Sequence, residues 1–244
     1  FSVIRNTHFE SVDGRFFLWI QPQVDPGSDG YPVLFLFHGA SQHAFSWIFG
    51  INKWSRNQMG FARQALDAGF VLILLQSQRP VRLGPRAWDV FEQDSTINKD
   101  IAYVNSIISW IKETKADVMD VNTLFATGFS SGAFMCSRIA LSSEQLFNAI
   151  ALHSGCNADS ITLTDRGPVF NFTYSHNISI NHPPTLIVHG EQDQIVPVEG
   201  GKTYHDDLKK AGIQTDILLS EEGGHIWLSE FNDEILLWFQ SHMN

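Results

Sequence analysis

The sequence predicts an α/β fold in which helices cover both faces of a mainly parallel central sheet. Short β-rich runs alternate with longer stretches of helical periodicity along the 244 residues, and parallel strands need such crossover connections. Most of the runs are continuously apolar, which is typical of strands covered on both faces. The predicted strands are Arg15 to Ile20, Val33 to Phe37, Val71 to Gln76, Thr123 to Thr127, Ala149 to His153, Thr185 to Val188 and Ile213 to Leu219.

Two helices are marked by apolar residues at helical spacing, one from Asn98 to Lys112 and a closing one from about Glu230 to His242. The polar segment from Asn157 to Pro184 lacks a helical stripe, so we expect an irregular excursion above the sheet and no large helical lid. No linker, repeat or low-complexity tract interrupts the chain, and its length suits one domain over residues 1–244.

Composition excludes several function classes. Sixteen basic and 26 acidic side chains give a formal charge of −10, and without a Lys/Arg-rich run the chain offers no surface for a nucleic acid. The longest apolar runs are far shorter than the roughly 18 residues that a membrane span requires. We therefore expect neither nucleic acid nor membrane as a partner, and the oligomeric state is left open.

The two cysteines, Cys136 and Cys156, are too few for a disulfide framework and lack the spacing of a metal site. No metal is expected, and whether the two thiols pair stays open. Sequons begin at Asn171 and Asn177, and whether they are glycosylated also stays open. They favour an extracellular location, with the cytoplasm as the alternative.

The sharpest local signal is the pentapeptide Gly128-Phe129-Ser130-Ser131-Gly132, which follows a predicted strand and precedes a helical stretch. That context matches the GxSxG turn, in which a strained serine is pushed above the sheet. Glycines two residues to either side avoid a collision in such a turn. Ser130 is therefore the predicted nucleophile.

A serine hydroxyl needs a base to accept its proton, and imidazole suits that role near neutral pH. His225 is the candidate among the ten histidines, because Gly223-Gly224-His225 follows the last predicted strand, at the sheet edge where open α/β folds bind ligands. A carboxylate is expected between serine and histidine in the chain. Asp193, after the strand ending at Val188, is predicted to orient the imidazole, with Glu191 as the alternative.

Two backbone amides are candidates to bind the oxyanion of a tetrahedral intermediate. One is the amide of Ser131 at the start of the helix, and the other follows the strand ending in His38-Gly39, where Ala40 or Ser41 would reach the sheet edge.

With these residues in place, the chain resembles the esterases grouped with feruloyl esterases and poly(3-hydroxybutyrate) depolymerases, near the carbohydrate esterases that deacylate plant polysaccharides. The matching segments are Phe37-His38-Gly39, Ala68-Gly69-Phe70, Ala126 to Met135, Ser154-Gly155-Cys156, Val188-His189-Gly190 with Asp193 and Val196-Pro197, and Gly223-Gly224-His225 with Trp227.

The resemblance implies an α/β-hydrolase fold, the triad Ser130, His225 and Asp193, and the oxyanion amide at Ala40. It also implies that Trp227 forms a wall of the acyl or alcohol pocket, and Trp88 is a second candidate for contact with substrate. The chain departs from the family at Ala133, where a second glycine is common.

The predicted activity is hydrolysis of carboxylic esters through an acyl-enzyme, without a cofactor. Feruloyl or acetyl groups on carbohydrates and hydroxyalkanoate polyesters are the expected substrates, whether small or polymeric. One alternative is a peptidase similar to the catalytic module of prolyl oligopeptidases, which shares the triad order; no propeller-sized segment precedes the core here, which disfavours it. The other is a catalytically silent binding member of the fold.

Overall fold

A computed structural model describes residues 6–26, 29–50, 53–78, 86–142, 145–165, 167–172 and 178–243. The strands of these residues are β1 (Thr7–Val12), β2 (Arg15–Ile20), β3 (Tyr31–Phe37), β4 (Val71–Leu75), β5 (Met119–Phe129), β6 (Ala149–His153), β7 (Ile161–Thr164), β8 (Gly167–Phe170), β9 (Thr185–Gly190) and β10 (Thr215–Ser220). Eight of them form one sheet in the order β1-β2-β4-β3-β5-β6-β9-β10, and β7 and β8 form a separate two-stranded sheet.

Within the described ranges, five α-helices connect or follow these strands. They are α1 (Lys53–Asp67), α2 (Lys99–Thr114), α3 (Ser131–Leu141), α4 (Val198–Lys210) and α5 (Asn232–Gln240). From β4 to β10 across the sheet every neighbouring pair is parallel, whereas β1 and β2 join one edge in antiparallel fashion.

Two hydrophobic cores lie on opposite faces of the sheet. Successive side chains of β3 alternate between them: Val33 and Phe35 enter one core, while Leu34 and Leu36 enter the other. Helices α2, α3 and α4 cover the first core, and α1 and α5 cover the second. Both faces are therefore closed, which explains why the central strands are apolar throughout.

The predicted mainly parallel sheet with helices on both faces is confirmed. All seven predicted strands are present; Arg15–Ile20 and Ala149–His153 have the predicted ends, and the other five have shifted ends. Two features differ from the predictions. β1 was missed, because its partly exposed side chains give no apolar run. The segment predicted to be irregular holds a hairpin, β7–β8, since Ile161 pairs with Phe170 and Thr164 with Gly167.

In the described part of the segment from Asn157 to Pro184 there is a short 3₁₀ turn, Ala158–Ser160, but no longer helix. Within the described residues, no helix has the length and apolar character to cross a bilayer. Asn171 is exposed, and Asn177 lies outside the described residues. The single domain over residues 1–244 stays a prediction.

Candidate active site

Ser130 occupies the turn between the end of β5 and the start of α3. Its φ of 54° and ψ of −119° place a non-glycine residue in a strained region of backbone space. A Cβ on Gly128 would lie 2.4 Å from backbone atoms of Gly132, and a Cβ on Gly132 would lie 2.2 Å from the carbonyl oxygen of Phe37. Only glycine fits at either position, so the turn has the geometry that the pentapeptide predicted.

The structure brings together the three side chains that the sequence selected from distant segments. His225 Nε2 lies 3.0 Å from Ser130 Oγ, and His225 Nδ1 lies 2.7 Å from Asp193 Oδ2. Because the carboxylate can only accept, Nδ1 carries the ring proton and Nε2 is free to accept the serine proton. The arrangement has the hydrogen-bond directions that a base-assisted nucleophile requires.

Asp193 is fixed by hydrogen bonds to both of its oxygens. Oδ1 accepts from the amides of Ile195 and Val196, each at 2.9 Å, while Oδ2 faces His225 and lies 3.5 Å from Nε2 of His189. Burial alone would raise the pKa of Asp193, but the hydrogen bonds from His189, His225 and Val196 outweigh it and hold that pKa well below its usual range. The carboxylate therefore stays ionised beside the imidazole.

Glu191, the alternative carboxylate, points elsewhere. It is exposed and forms an ion pair of 2.9 Å with Lys202 on α4. Among the contacts of the described residues, none joins Glu191 to His225.

Sequence reasoning missed two buried histidines that support the triad. His189, near the end of β9, faces Asp193 and also lies 2.9 Å from the carbonyl oxygen of Val196. His153, at the end of β6, accepts a hydrogen bond of 2.8 Å from the amide of Leu228, so it braces the loop that carries His225. Their position at the carboxyl ends of neighbouring strands is the signal that could have identified them.

His38 fixes the segment that carries the candidate oxyanion amide of Ala40. Its Nδ1 lies 2.8 Å from the carbonyl oxygen of Gly39 and must donate to it, while Nε2 accepts from the amide of Ser77 at 3.2 Å. Burial lowers the pKa of His38 to about 3, so the ring remains neutral. Because C=O and N–H point in opposite directions across a trans peptide, this bond turns the amide of Ala40 away from His38. Ala40 and Ser131 both border the cavity beside the nucleophile.

Trp88 borders the same cavity, but its side chain is fully buried. Its Nε1 donates to the carbonyl oxygen of His38 at 2.8 Å, and its amide donates to Ser131 Oγ at 3.1 Å. Trp88 therefore braces both candidate oxyanion segments.

The expectation that Trp227 walls a substrate pocket is wrong. Its side chain is 0% exposed and packs edge-on against Trp47 at 5.2 Å and near Phe61 at 4.9 Å. Its Nε1 donates to Asn232 Oδ1 at 2.9 Å. An indole enclosed in this way in the second core stabilises the fold beneath His225 and has no face available to a ligand.

Cys136 and Cys156 are both buried and unpaired, which settles that the two thiols form no disulfide. Across the described ranges, no group of three or more His, Cys, Asp or Glu side chains is arranged to hold a metal ion.

Comparison with known proteins gives a consistent result. The profile of the prolyl oligopeptidase family matches residues 98–244, more than half of the chain. A poly(3-hydroxyoctanoate) depolymerase of Pseudomonas fluorescens is 26% identical over 237 residues, covering 95% of this chain and 81% of that protein. A probable dipeptidyl-peptidase 5 of Aspergillus niger is 23% identical over 245 residues, covering 91% of this chain but only 32% of that protein.

Among solved structures, an acetyl xylan esterase from Aspergillus awamori superposes with a TM-score of 0.70 at 16% identity, covering 96% of this chain and 98% of that one. At this identity the likeness speaks for the fold alone, and the predicted α/β-hydrolase fold is confirmed. The expected resemblance to polyhydroxyalkanoate depolymerases is confirmed by the Pseudomonas protein. The resemblance to polysaccharide esterases is confirmed by a probable acetylxylan esterase A of Aspergillus clavatus, which is 30% identical over 129 residues, covering 52% of this chain and 41% of that protein.

Proposed function

The chain belongs to the prolyl oligopeptidase family, and from that premise we propose that it is a serine esterase that cleaves carboxylic esters through an acyl-enzyme. The observation that carries the proposal is the continuous relay from Ser130 through His225 to Asp193, with contacts of 3.0 and 2.7 Å. A relay of this kind turns an unreactive hydroxyl into a nucleophile at neutral pH.

In the proposed reaction Ser130 Oγ attacks the ester carbonyl while His225 Nε2 takes its proton. The amides of Ala40 and Ser131 bind the oxyanion, and each donor contributes about 10²- to 10³-fold in rate. His225 then protonates the departing alcohol, and water attacks the acyl-enzyme with the same assistance. These steps use the side chains and backbone amides named, together with water.

The proposed substrates are hydroxyalkanoate polyesters or acyl groups on carbohydrates. The names of the depolymerase and the acetyl xylan esterase support this range, as does the apolar cavity that opens beside Ser130. An extracellular location is part of the proposal, and the sequons at Asn171 and Asn177 support it.

A peptidase is the second candidate, because the matched family and the dipeptidyl-peptidase both point to it. A peptidase that removes dipeptides must hold a substrate ammonium group, and buried carboxylates serve that purpose. The charged side chain bordering the described part of the cavity is Asp165, which is exposed. This favours an uncharged ester over a peptide N-terminus.

Two measurements test the proposal. A fluorophosphonate probe should label the purified protein once per chain and should not label Ser130→Ala; a protein that folds but resists the probe would be a silent member of the fold. Acyl nitrophenol and dipeptidyl nitroanilide substrates then separate the two enzyme classes. Preference for the anilide would show that the protein is a peptidase and not an esterase.

A further inference from the structure

A cavity of about 720 Å³ opens beside Ser130, within the range of about 300 to 1,000 Å³ that small-molecule sites occupy. It is far larger than an acetyl group needs. Most of its lining is apolar, from Phe91, Phe134, Ile161, Leu163, Phe170 and Ile195. Leu163 and Ile195 are exposed in spite of being large and apolar, as is typical of a surface that a ligand covers.

One wall of this cavity is the inner face of the β7–β8 hairpin. Ile161 lies opposite Phe170 and Leu163 lies opposite Pro168, and all four border the cavity. Val169, between two of them in the chain, does not border it, because alternate residues of a strand face opposite sides. Phe170 is anchored by stacking on Phe134 of α3, with ring centroids 6.1 Å apart. The hairpin thus presents one apolar face to the nucleophile.

The position of His225 decides which half of an ester this cavity receives. The histidine must protonate the departing alcohol, so the alcohol lies against its ring. The cavity is bordered by Ser130 and by the candidate oxyanion residues Ala40 and Ser131, whereas His225 is not among the described residues that border it. The cavity therefore lies on the acyl side of the scissile bond.

We propose that the cavity binds the acyl half of the substrate as an aliphatic chain longer than acetyl, and that Leu163 and Phe170 of the hairpin set this preference. The inference rests on the proposed esterase function. Away from the exposed turn of the hairpin, where Thr164 and Asp165 lie, the described part of the wall offers no hydrogen-bond partner to the phenolic hydroxyl of a feruloyl group, and burying that hydroxyl there would cost free energy. An aliphatic chain has no such cost.

The acyl assignment is tested with isomeric esters, methyl octanoate and heptyl acetate, which differ only in the side of the bond that carries the chain. We expect kcat/KM at least tenfold higher for methyl octanoate. In a series of nitrophenyl esters, kcat/KM should rise by about fourfold per methylene while the chain stays inside the cavity. Preference for heptyl acetate, or for a feruloyl ester over an octanoyl ester, would overturn the assignment.

The hairpin's role is tested by Leu163→Asp against Val169→Asp. Both side chains are 49% exposed and lie on the same hairpin, so the two variants carry the same charge and the same burden on folding. Leu163→Asp should lower the ratio of kcat/KM for octanoate to that for acetate at least tenfold. Val169→Asp should leave both within twofold.

The outcomes separate this inference from the proposed function. A wild-type protein without any esterase activity would refute the proposed function. Hydrolysis of acetate and octanoate at equal rates, or the same loss for octanoate in both variants, would refute the role of the cavity in acyl binding and leave the proposed function intact. A loss of acetate and octanoate activity together in Leu163→Asp alone would count against a role confined to chain length.

Discussion

Replacement of Asp193 by asparagine should trap His225 in the wrong tautomer. In the structure, Oδ1 accepts two backbone hydrogen bonds, from Ile195 and Val196 at 2.9 Å, and Oδ2 faces Nδ1 of His225 at 2.7 Å. An asparagine can satisfy the two amides only with its oxygen, so its NH₂ group must face the histidine. Two donors would then meet, and the imidazole relieves the clash by moving its proton to Nε2.

A proton on Nε2 blocks the step in which that nitrogen takes the proton of Ser130. We therefore expect kcat to fall by about 10³- to 10⁴-fold, the range seen when a triad carboxylate is exchanged for an amide. The Asp193→Asn side chain keeps its size and its two amide bonds, so the fold should persist. The loss then lies in kcat, with KM changed little.

Steady-state hydrolysis of a nitrophenyl ester measures the effect, with circular dichroism to verify folding. Glu191→Gln is the matched control, because it removes a carboxylate two residues away whose partner is Lys202, and its kcat should stay within twofold of wild type. A folded Asp193→Asn enzyme that keeps more than a tenth of wild-type kcat would refute the reasoning. A large loss of kcat in Glu191→Gln would identify Glu191 as the carboxylate that orients His225.

Three further outcomes are expected. Ser130→Ala should lower kcat by at least about 10⁴-fold, while the midpoint of thermal unfolding stays near that of the wild type. Full activity in this variant would show that Ser130 is not the nucleophile. Trp227→Phe should lower the free energy of unfolding by about 1 to 3 kcal/mol, because a hydrogen bond is lost and the ring is smaller. The ratio of octanoate to acetate hydrolysis should stay unchanged; a changed ratio would show that Trp227 contributes to the substrate pocket. Burial lowers the pKa of His38 to about 3 and that of His153 well below 6.5. Below pH 6.5 the unfolded chain therefore binds more protons than the folded one. The contribution of these two neutral histidines to the free energy of unfolding is fully present above pH 6.5, and it should decline by up to about 1.4 kcal/mol per pH unit for each histidine as the pH falls toward 4. Denaturant titrations at several pH values check this, and His38→Asn should show a shallower decline.

The sequence predicted seven of the eight strands of the sheet and the three side chains that the structure brings together, because both depend on strong local constraints. Strands covered on both faces must be apolar along their whole length, as Val71–Leu75 is. The turn at Ser130 admits only glycine at two positions, so the pattern is sharp. Asp193 and His225 each follow a strand at the same sheet edge, where the chain order leaves few candidates.

The hairpin and Trp227 were not predictable in the same way. The alternation of Ile161 and Leu163 spans only four residues amid polar neighbours, and its register depends on a cavity that no local pattern encodes. Trp227 lies two residues after His225, which suggested the site, but its direction is set by Trp47 from a distant segment. Tertiary packing decides both features.

Ala133 illustrates how a departure from the family pattern is absorbed. A Cβ on Gly155, two residues after β6, would lie 2.5 Å from the methyl group of Ala133. The methyl group of Ala133 is therefore accommodated because the facing residue is a glycine.

The precision of the site follows from bonds between strand ends rather than from the loops that carry the side chains. The amide of Ser130 donates to the carbonyl oxygen of His153 at the end of β6, and the amide of Ser154 donates to Val188 of β9, each at 2.9 Å. The amide of Glu191 in turn donates to Ser220 at the end of β10, also at 2.9 Å. Nucleophile and carboxylate are therefore joined through consecutive strands of one rigid sheet, which can hold reacting groups to within a fraction of an ångström. A relay with a spacing of 3.0 Å depends on such a frame, because a displacement of 1 Å would break it.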